Sequence, residues 1–297
     1  MNFAFFGTPS LAVEILDALA TAGYVPSVIV TTPDRPQGRG MKMKETPVAE
    51  WARKRGVEVL KPDMLDAGFI DNFRQRHIAF SIVVAYGKIL PQPVLDTMPM
   101  YNIHYSLLPR WRGATPVEAA ILAGDAQTGV TIQKIIHKLD AGPIVASAKT
   151  DIGLSETAPI LRLRLNTIAA DLLVGIMPQL QSSKVRLAEQ DEAQITTCGK
   201  ISKDDGCIDL SDDAEVNYRK FRAYFGWPGV YTFFERLPAR GAPAGGGKSA
   251  SRRIRAIITR AHLERETFVI DAVKPEGKRE MYYADFLRSG PRPTSSQ

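Results

Sequence analysis

Asn102 and His104 stand two residues apart in Y-N-I-H-Y-S-L-L-P-R-W-R-G-A-T-P, the stretch from Tyr101 to Pro116. On an extended strand this spacing sends an amide and an imidazole to the same side. Placed together at a strand end, they can hold a carbonyl oxygen as it becomes an oxyanion. No carboxylate lies in this stretch. The candidate is Asp140, in K-L-D-A-G-P, a turn punctuated by glycine and proline between two apolar runs.

The elements that must position these residues alternate between two periodicities. Strands are expected at 3–7, 28–32, 57–60, 78–86, 102–106, 130–135 and 144–149. Helices are expected from Ser10 to Gly23, at 48–55, 64–76 and 116–123, and from a cap at Ser155 to Gln181. The run 78–86 shows little alternation, as a central strand covered on both faces would. Alternating strands and helices predict a Rossmann-like parallel α/β sheet with right-handed crossovers. The G-T-P-S-L-A after the first strand is not a G-x-G-x-x-G fingerprint, which argues against a dinucleotide. Ligands of such sheets bind beyond the carboxyl ends of the strands, where Asn102 and His104 would emerge.

The combination of Asn102-Ile103-His104, Ser106-Leu107-Leu108-Pro109, Arg112-Gly113 and Asp140 in Leu-Asp-Ala-Gly resembles the 10-formyltetrahydrofolate-dependent formyltransferases. The resemblance implies transfer of a formyl group from 10-formyltetrahydrofolate, as co-substrate, to an amine, with no metal. Asn102 and protonated His104 would stabilise the formyl oxygen, and Asp140 would hold His104 charged and accept the amine proton, directly or through water. The amine attacks directly, so no nucleophilic serine or cysteine is needed. The resemblance places the folate beside Ser106, Leu107, Leu108 and Pro109, with its pteridine near Tyr86, Gly87, Ile89 and Leu90. His77, His137 and His262 lack such a context and are expected to be structural.

The acceptor is read from the rest of the chain. The loop Pro33–Pro47 carries Arg35, Arg39, Lys42 and Lys44 and resembles an insert of the members that act on charged tRNA; such a loop can contact phosphates in an acceptor-stem groove. R-A-Y-F-G-W-P-G, Arg222–Gly229, resembles a second segment of those members; Tyr224 and Trp227 are expected to pack the fold. The expected acceptor is therefore the amino group of initiator methionyl-tRNA. An amino sugar nucleotide is the alternative, and tRNA binding without turnover a third reading. Tyr105, Thr115 and Glu118-Ala119 depart from the usual pattern.

The 297 residues suffice for two domains, and 44% hydrophobic with 24% charged residues is ordinary for a globular protein. The expected division is a catalytic domain at 1–181, a polar linker at 182–203, and a small OB-like β-barrel, tRNA-binding, at 204–297. The net charge is +6, and from Arg219 onward 16 Lys/Arg face 7 Asp/Glu, a localised surplus of the kind that attracts phosphate backbones. Residues 238–251 read as a mobile surface loop whose G-G-G-K-S lacks the context of a P-loop. Cys198 and Cys207 fit no zinc spacing and are expected as reduced thiols. No apolar run is long enough for a membrane helix and no export signal is visible, so the expected location is the cytoplasm, and the chain is expected to be a monomer.

Overall fold

The computed structural model describes residues 2–37, 40–236 and 252–293. Arg39 and the glycine-rich stretch at 238–251 lie outside the described residues. In chain order the elements are β1 (Phe3–Gly7), α1 (Ser10–Thr21), β2 (Val28–Val30), β3 (Arg35–Gln37), β4 (Lys42–Lys44), α2 (Pro47–Arg55), β5 (Glu58–Leu60), α3 (Ala67–Arg74), β6 (Phe80–Val84), α4 (Gln92–Leu95), β7 (Met100–His104) and β8 (Arg112–Gly113). Then follow α5 (Pro116–Ala123), β9 (Gln127–Lys134), β10 (Ile144–Asp151), α6 (Ala158–Gln181), β11 (Thr197–Cys198), α7 (Ala214–Ala223), β12 (Val230–Arg236), β13 (Arg252–Glu264), β14 (Thr267–Pro275), β15 (Met281–Tyr282), α8 (Tyr283–Arg288) and β16 (Pro291–Pro293).

By packing, the chain divides into two units. The first holds residues 1–116, 127–151 and 162–198; the second holds 117–126, 152–161 and 199–297.

The first unit is built on a seven-stranded sheet in the order β10-β9-β7-β6-β1-β2-β5. Every residue of β1 and β6 is buried, which is why both read as nearly continuous apolar runs, with Ser81 the one polar residue among them. Ala12, Ile15, Leu16 and Leu19 recur at helical spacing and form the buried stripe of α1. Thr46 caps α2 by accepting from the Ala49 amide at 3.1 Å, and Gly56 ends it at φ 67°. The strands from β5 through β7 are parallel, but β9 runs antiparallel to β7 and β10 antiparallel to β9. The expected Rossmann-like sheet is thus present with a reversed edge. The segment between Lys134 and Ile144 contains no helix, so the chain turns straight back instead of crossing over.

The stretch 182–203, expected as a linker, includes β11, which pairs in parallel with β8, and Ala188, which exchanges hydrogen bonds with Ile144 at 2.7 and 2.9 Å. The basic loop after β2 is a hairpin, β3 against β4, with Arg35 directly opposite Lys44.

The second unit is an antiparallel sheet in the order β15-β14-β13-β12-β16, a half-barrel closed over Phe234, Ala256, Ile258, Ala272, Val273 and Phe286. Phe234 meets Phe286 edge to face at 4.9 Å. The terminal D-F-L-R lies on α8. Tyr224 is buried as expected, whereas Trp227 is 58% exposed: Gly226, at φ 85°, turns the chain after α7 and leaves the indole outside. No described helix is long and apolar enough to cross a membrane.

Candidate active site

β7 delivers Asn102 and His104 to one face at its carboxyl end, and β9 supplies their cross-strand neighbours, Gln133 beside Asn102 and Thr131 beside His104. Thr131 builds the turn that follows. Its hydroxyl donates to the Ser106 carbonyl at 2.7 Å and accepts from the Leu108 amide at 3.1 Å. Ser106 donates in turn to the Arg110 carbonyl at 2.5 Å, and the Leu108–Pro109 peptide is cis. This turn brings the Trp111 carbonyl to His104 Nε2 at 2.8 Å. A carbonyl only accepts, so Nε2 carries a proton and Nδ1 is left facing Asp140 Oδ1 at 3.7 Å.

Asp140 sits at φ 48°, in the left-handed region that aspartate tolerates better than most residues. Its carboxylate accepts from Gly113 N–H at 3.0 Å and from Gln133 Nε2 at 2.8 Å. Both glycines flanking this arrangement are sterically required. Gly113, at φ 131°, lies against the Cys198 carbonyl, and Gly142 lies against the Lys134 carbonyl; a Cβ at either would collide with that oxygen. The R-G and D-A-G pieces of the sequence therefore encode one close approach each.

Beside these groups opens a cavity of about 180 Å³. Val83, Leu90, Ile135 and Ile136 give it apolar walls, and Asn102, Gln133 and Asp140 bring polar groups into it. Among the described residues nothing else in the chain hydrogen-bonds the Asn102 amide. The rim carries Ile89, 90% exposed, and Leu139, 69% exposed, together with Lys88 and His137. Lys88 is tied to the Pro62 and Asp63 carbonyls, each at 2.8 Å. Among the described residues no group of three or more histidine, cysteine or acidic side chains is placed to hold a metal.

The residues expected at the site divide into two sets. Asn102, Asp140, Ile89 and Leu90 line the cavity, and His104 adjoins Asp140. Tyr86, Gly87, Ser106, Leu107, Leu108 and Pro109 are not among its lining residues. Ser106 and Leu108 are buried within the turn, and Tyr86 is a core residue with its ring edge-on to Phe6 at 5.4 Å. Burial pushes the Tyr86 phenol up to about 12, and among the described residues its hydroxyl has no hydrogen-bond partner. His137, expected to be structural, stands on the cavity rim; His77 is in a turn and His262 pairs with Asp271 at 2.9 Å.

Tyr105 donates to Asn166 Oδ1 at 2.7 Å, and Asn166 holds Glu14 and the Leu11 carbonyl, so this departure from the usual pattern fastens β7 to α6 and α1. Burial first, and Glu14 second, raise the Tyr105 phenol.

Gln133 and Gln190 escaped sequence reading. A glutamine amid the valine and isoleucine of 130–135 was the available signal for Gln133; Gln190 had none within its polar surroundings. On the hairpin, Arg35 and Lys44 share one face with Lys42, two residues from Lys44, and all three are exposed.

Sequence comparison matches residues 1–177 to the family described as formyl transferase, and residues 200–291 to the formyl transferase C-terminal domain. The chain is 38% identical over 307 aligned residues to a methionyl-tRNA formyltransferase from Methylococcus capsulatus, covering 97% of each. It is 37% identical to one from Thermus thermophilus, covering 97% of this chain and 96% of the relative. Among solved structures, the methionyl-tRNA formyltransferase of Clostridium thermocellum shares the fold with a TM-score of 0.57 at 14% identity, over 93% of this chain and 98% of that one. An N-formyltransferase from Helicobacter canadensis in complex with folinic acid and dTDP-3-aminofucose gives 0.62 at 14% identity, over 86% and 95%. With both parts of its length matched and the Asn102, His104 and Asp140 cluster at the carboxyl end of β7, the chain belongs to the formyl transferase family.

Proposed function

We propose that this chain transfers the formyl group of 10-formyltetrahydrofolate to the amino group of initiator methionyl-tRNA. The observation that carries the reading is the pair Asn102 and Asp140 lining one cavity, with His104 turned to Asp140 behind it, in a chain matched over nearly its whole length by methionyl-tRNA formyltransferases. The cavity supports a flat heterocycle as its occupant, with apolar walls for the faces and Asn102, Gln133 and Asp140 for the polar edge. Ile89 and Leu90 are its proposed folate contacts. Ser106, Leu107, Leu108 and Pro109 act by shaping the turn, and Tyr86 and Gly87 by carrying the chain to Ile89.

The acceptor nitrogen bonds to the formyl carbon as the bond to the donor nitrogen breaks, and the proton lost by the first nitrogen ends on the second. Asn102 donates to the formyl oxygen as charge develops there. His104 acts through Nδ1, because Nε2 is committed to Trp111; protonated there and held by Asp140, it joins Asn102 in stabilising the formyl oxygen. Asp140, next to that nitrogen, takes the amine proton and passes it on. The exposed cations Arg35, Lys42 and Lys44, with Arg39, hold the tRNA backbone, and the C-terminal unit supplies a second tRNA contact. The proposed location is the cytoplasm, where charged tRNA is available as acceptor.

The test is transfer of labelled formyl from the donor to charged initiator tRNA. His104→Ala or Asp140→Asn should each cut the rate by about 10²–10⁴-fold. Full activity in either variant rejects the roles given, and transfer to an amino sugar nucleotide but not to charged tRNA rejects the acceptor.

A further inference from the structure

Behind Asp140 lies a chain of buried polar side chains that the chemistry above does not use. Arg112 is 5% exposed, Gln190 8% and Gln133 2%. A guanidinium can only donate, and Arg112 Nε donates to Gln190 Oε1 at 2.9 Å. That contact fixes which end of the Gln190 amide is which. Its Nε2 turns to the carbonyls of Asp140 at 2.9 Å and Gly142 at 2.7 Å, with Gln133 Oε1 a longer third contact at 3.4 Å. Gln133 then has its own Nε2 on Asp140 Oδ1 at 2.8 Å. Donation runs in one direction, from the guanidinium to the carboxylate. Reversing either amide would leave buried donors facing donors. At the outer end, Arg112 also donates to Glu192 at 3.1 Å, a pairing that lowers the Glu192 carboxyl.

We propose that Gln190 is a positioning residue for formyl transfer: seated on Arg112, it fixes the turn 140–142 and, through Gln133, the direction of the Asp140 carboxylate beside His104. The catalytic half of this claim rests on the formyl-transfer reading. Gln190 does not line the cavity, so its effect must pass through the residues that it holds there, Asp140 first, with Gly142 and Gln133.

Two variants of the full chain test it. Gln190→Leu removes the amide, and Gln190→Glu keeps the size and the acceptor for Arg112 while losing the donor. Each is expected to lower kcat for charged tRNA at least tenfold with both KM values within about threefold of wild type. On the Asp140→Asn background, followed with labelled donor over long incubations, Gln190→Leu should cost nothing more. A readout independent of turnover is the amide exchange of Gly113, whose N–H donates to Asp140 Oδ2. It should accelerate at least tenfold in Gln190→Leu, while that of Phe5 in β1 stays put. Unchanged kcat, an additive loss in the double variant, or unchanged Gly113 exchange overturns the proposal. A wild-type chain that transfers no formyl to charged tRNA overturns the functional reading instead, and the exchange of Gly113 then decides the positioning.

Discussion

His104 has one ring nitrogen spoken for by a backbone carbonyl and the other turned to a carboxylate. The carbonyl is that of Trp111 in the turn, and Gly113 and Gly142 let the turn and the Asp140 loop come close enough. Gly142→Ala should therefore destabilise the fold by about 1–3 kcal/mol, since a methyl must displace the Lys134 backbone; thermal unfolding reads this directly. Tyr86 makes the opposite case. Its buried hydroxyl finds no partner among the described residues, so Tyr86→Phe should leave the KM for the folate donor unchanged and hold or raise stability, by up to about 1 kcal/mol. The pH window follows from its phenol, raised from an ordinary 10 to about 12. A folded value above the unfolded one means that the neutral phenol contributes fully below about pH 10 and that this contribution fades as pH rises toward 12. The wild type should thus lose stability relative to Tyr86→Phe across that range. At this scale Asn102, His104 and Asp140 were legible only as a set, through the resemblance that they carry together with Ser106–Pro109 and Arg112-Gly113, and not one by one. Gln190 was not: nothing local in a polar stretch announces that an amide will be buried under Arg112.

Between elements, the hairpin of β3 and β4 sets Arg35 across from Lys44, a like-charged pair that costs about 0.2–1 kcal/mol where nothing anionic lies between. Lys42 adds a third cation to the same face. Replacing Arg35 and Lys44 with alanine should raise the KM for charged tRNA and flatten its dependence on salt by about one unit of slope per charge removed, with kcat little changed. A salt dependence identical to wild type would show that the hairpin meets no phosphates. The basic character of this segment could be read from composition, but its pairing could not, since Pro36 and Met43 break any clean alternation. The direction of β9 and β10 was hidden for a related reason. Periodicity marks a strand and says nothing about its sense; only the helix-free link from Lys134 to Ile144 does. That reversal matters to the site, because an antiparallel β9 is what sets Gln133 beside Asn102 and Thr131 beside His104.

For the molecule as a whole, composition correctly pointed to an α/β part followed by a β part, because period and turn density change along the chain. It did not reveal that the packing units interleave. Residues 117–126 and 152–161 belong with 199–297. Gly124 lies under the Arg219 guanidinium, and Arg222 donates to the Gly153 carbonyl at 3.1 Å. A fragment ending at residue 198 would keep both of those segments and lose their partners. It should bind a hydrophobic dye and unfold at a lower temperature than the full chain, whereas equal dye binding would show the two segments to be self-sufficient. The same threading limits recombination. Moving the β-rich part of this protein into another formyl transferase by joining genes at one seam would transplant an incomplete body; a working chimera must inherit three separate pieces of chain, two of them cut from within the α/β part.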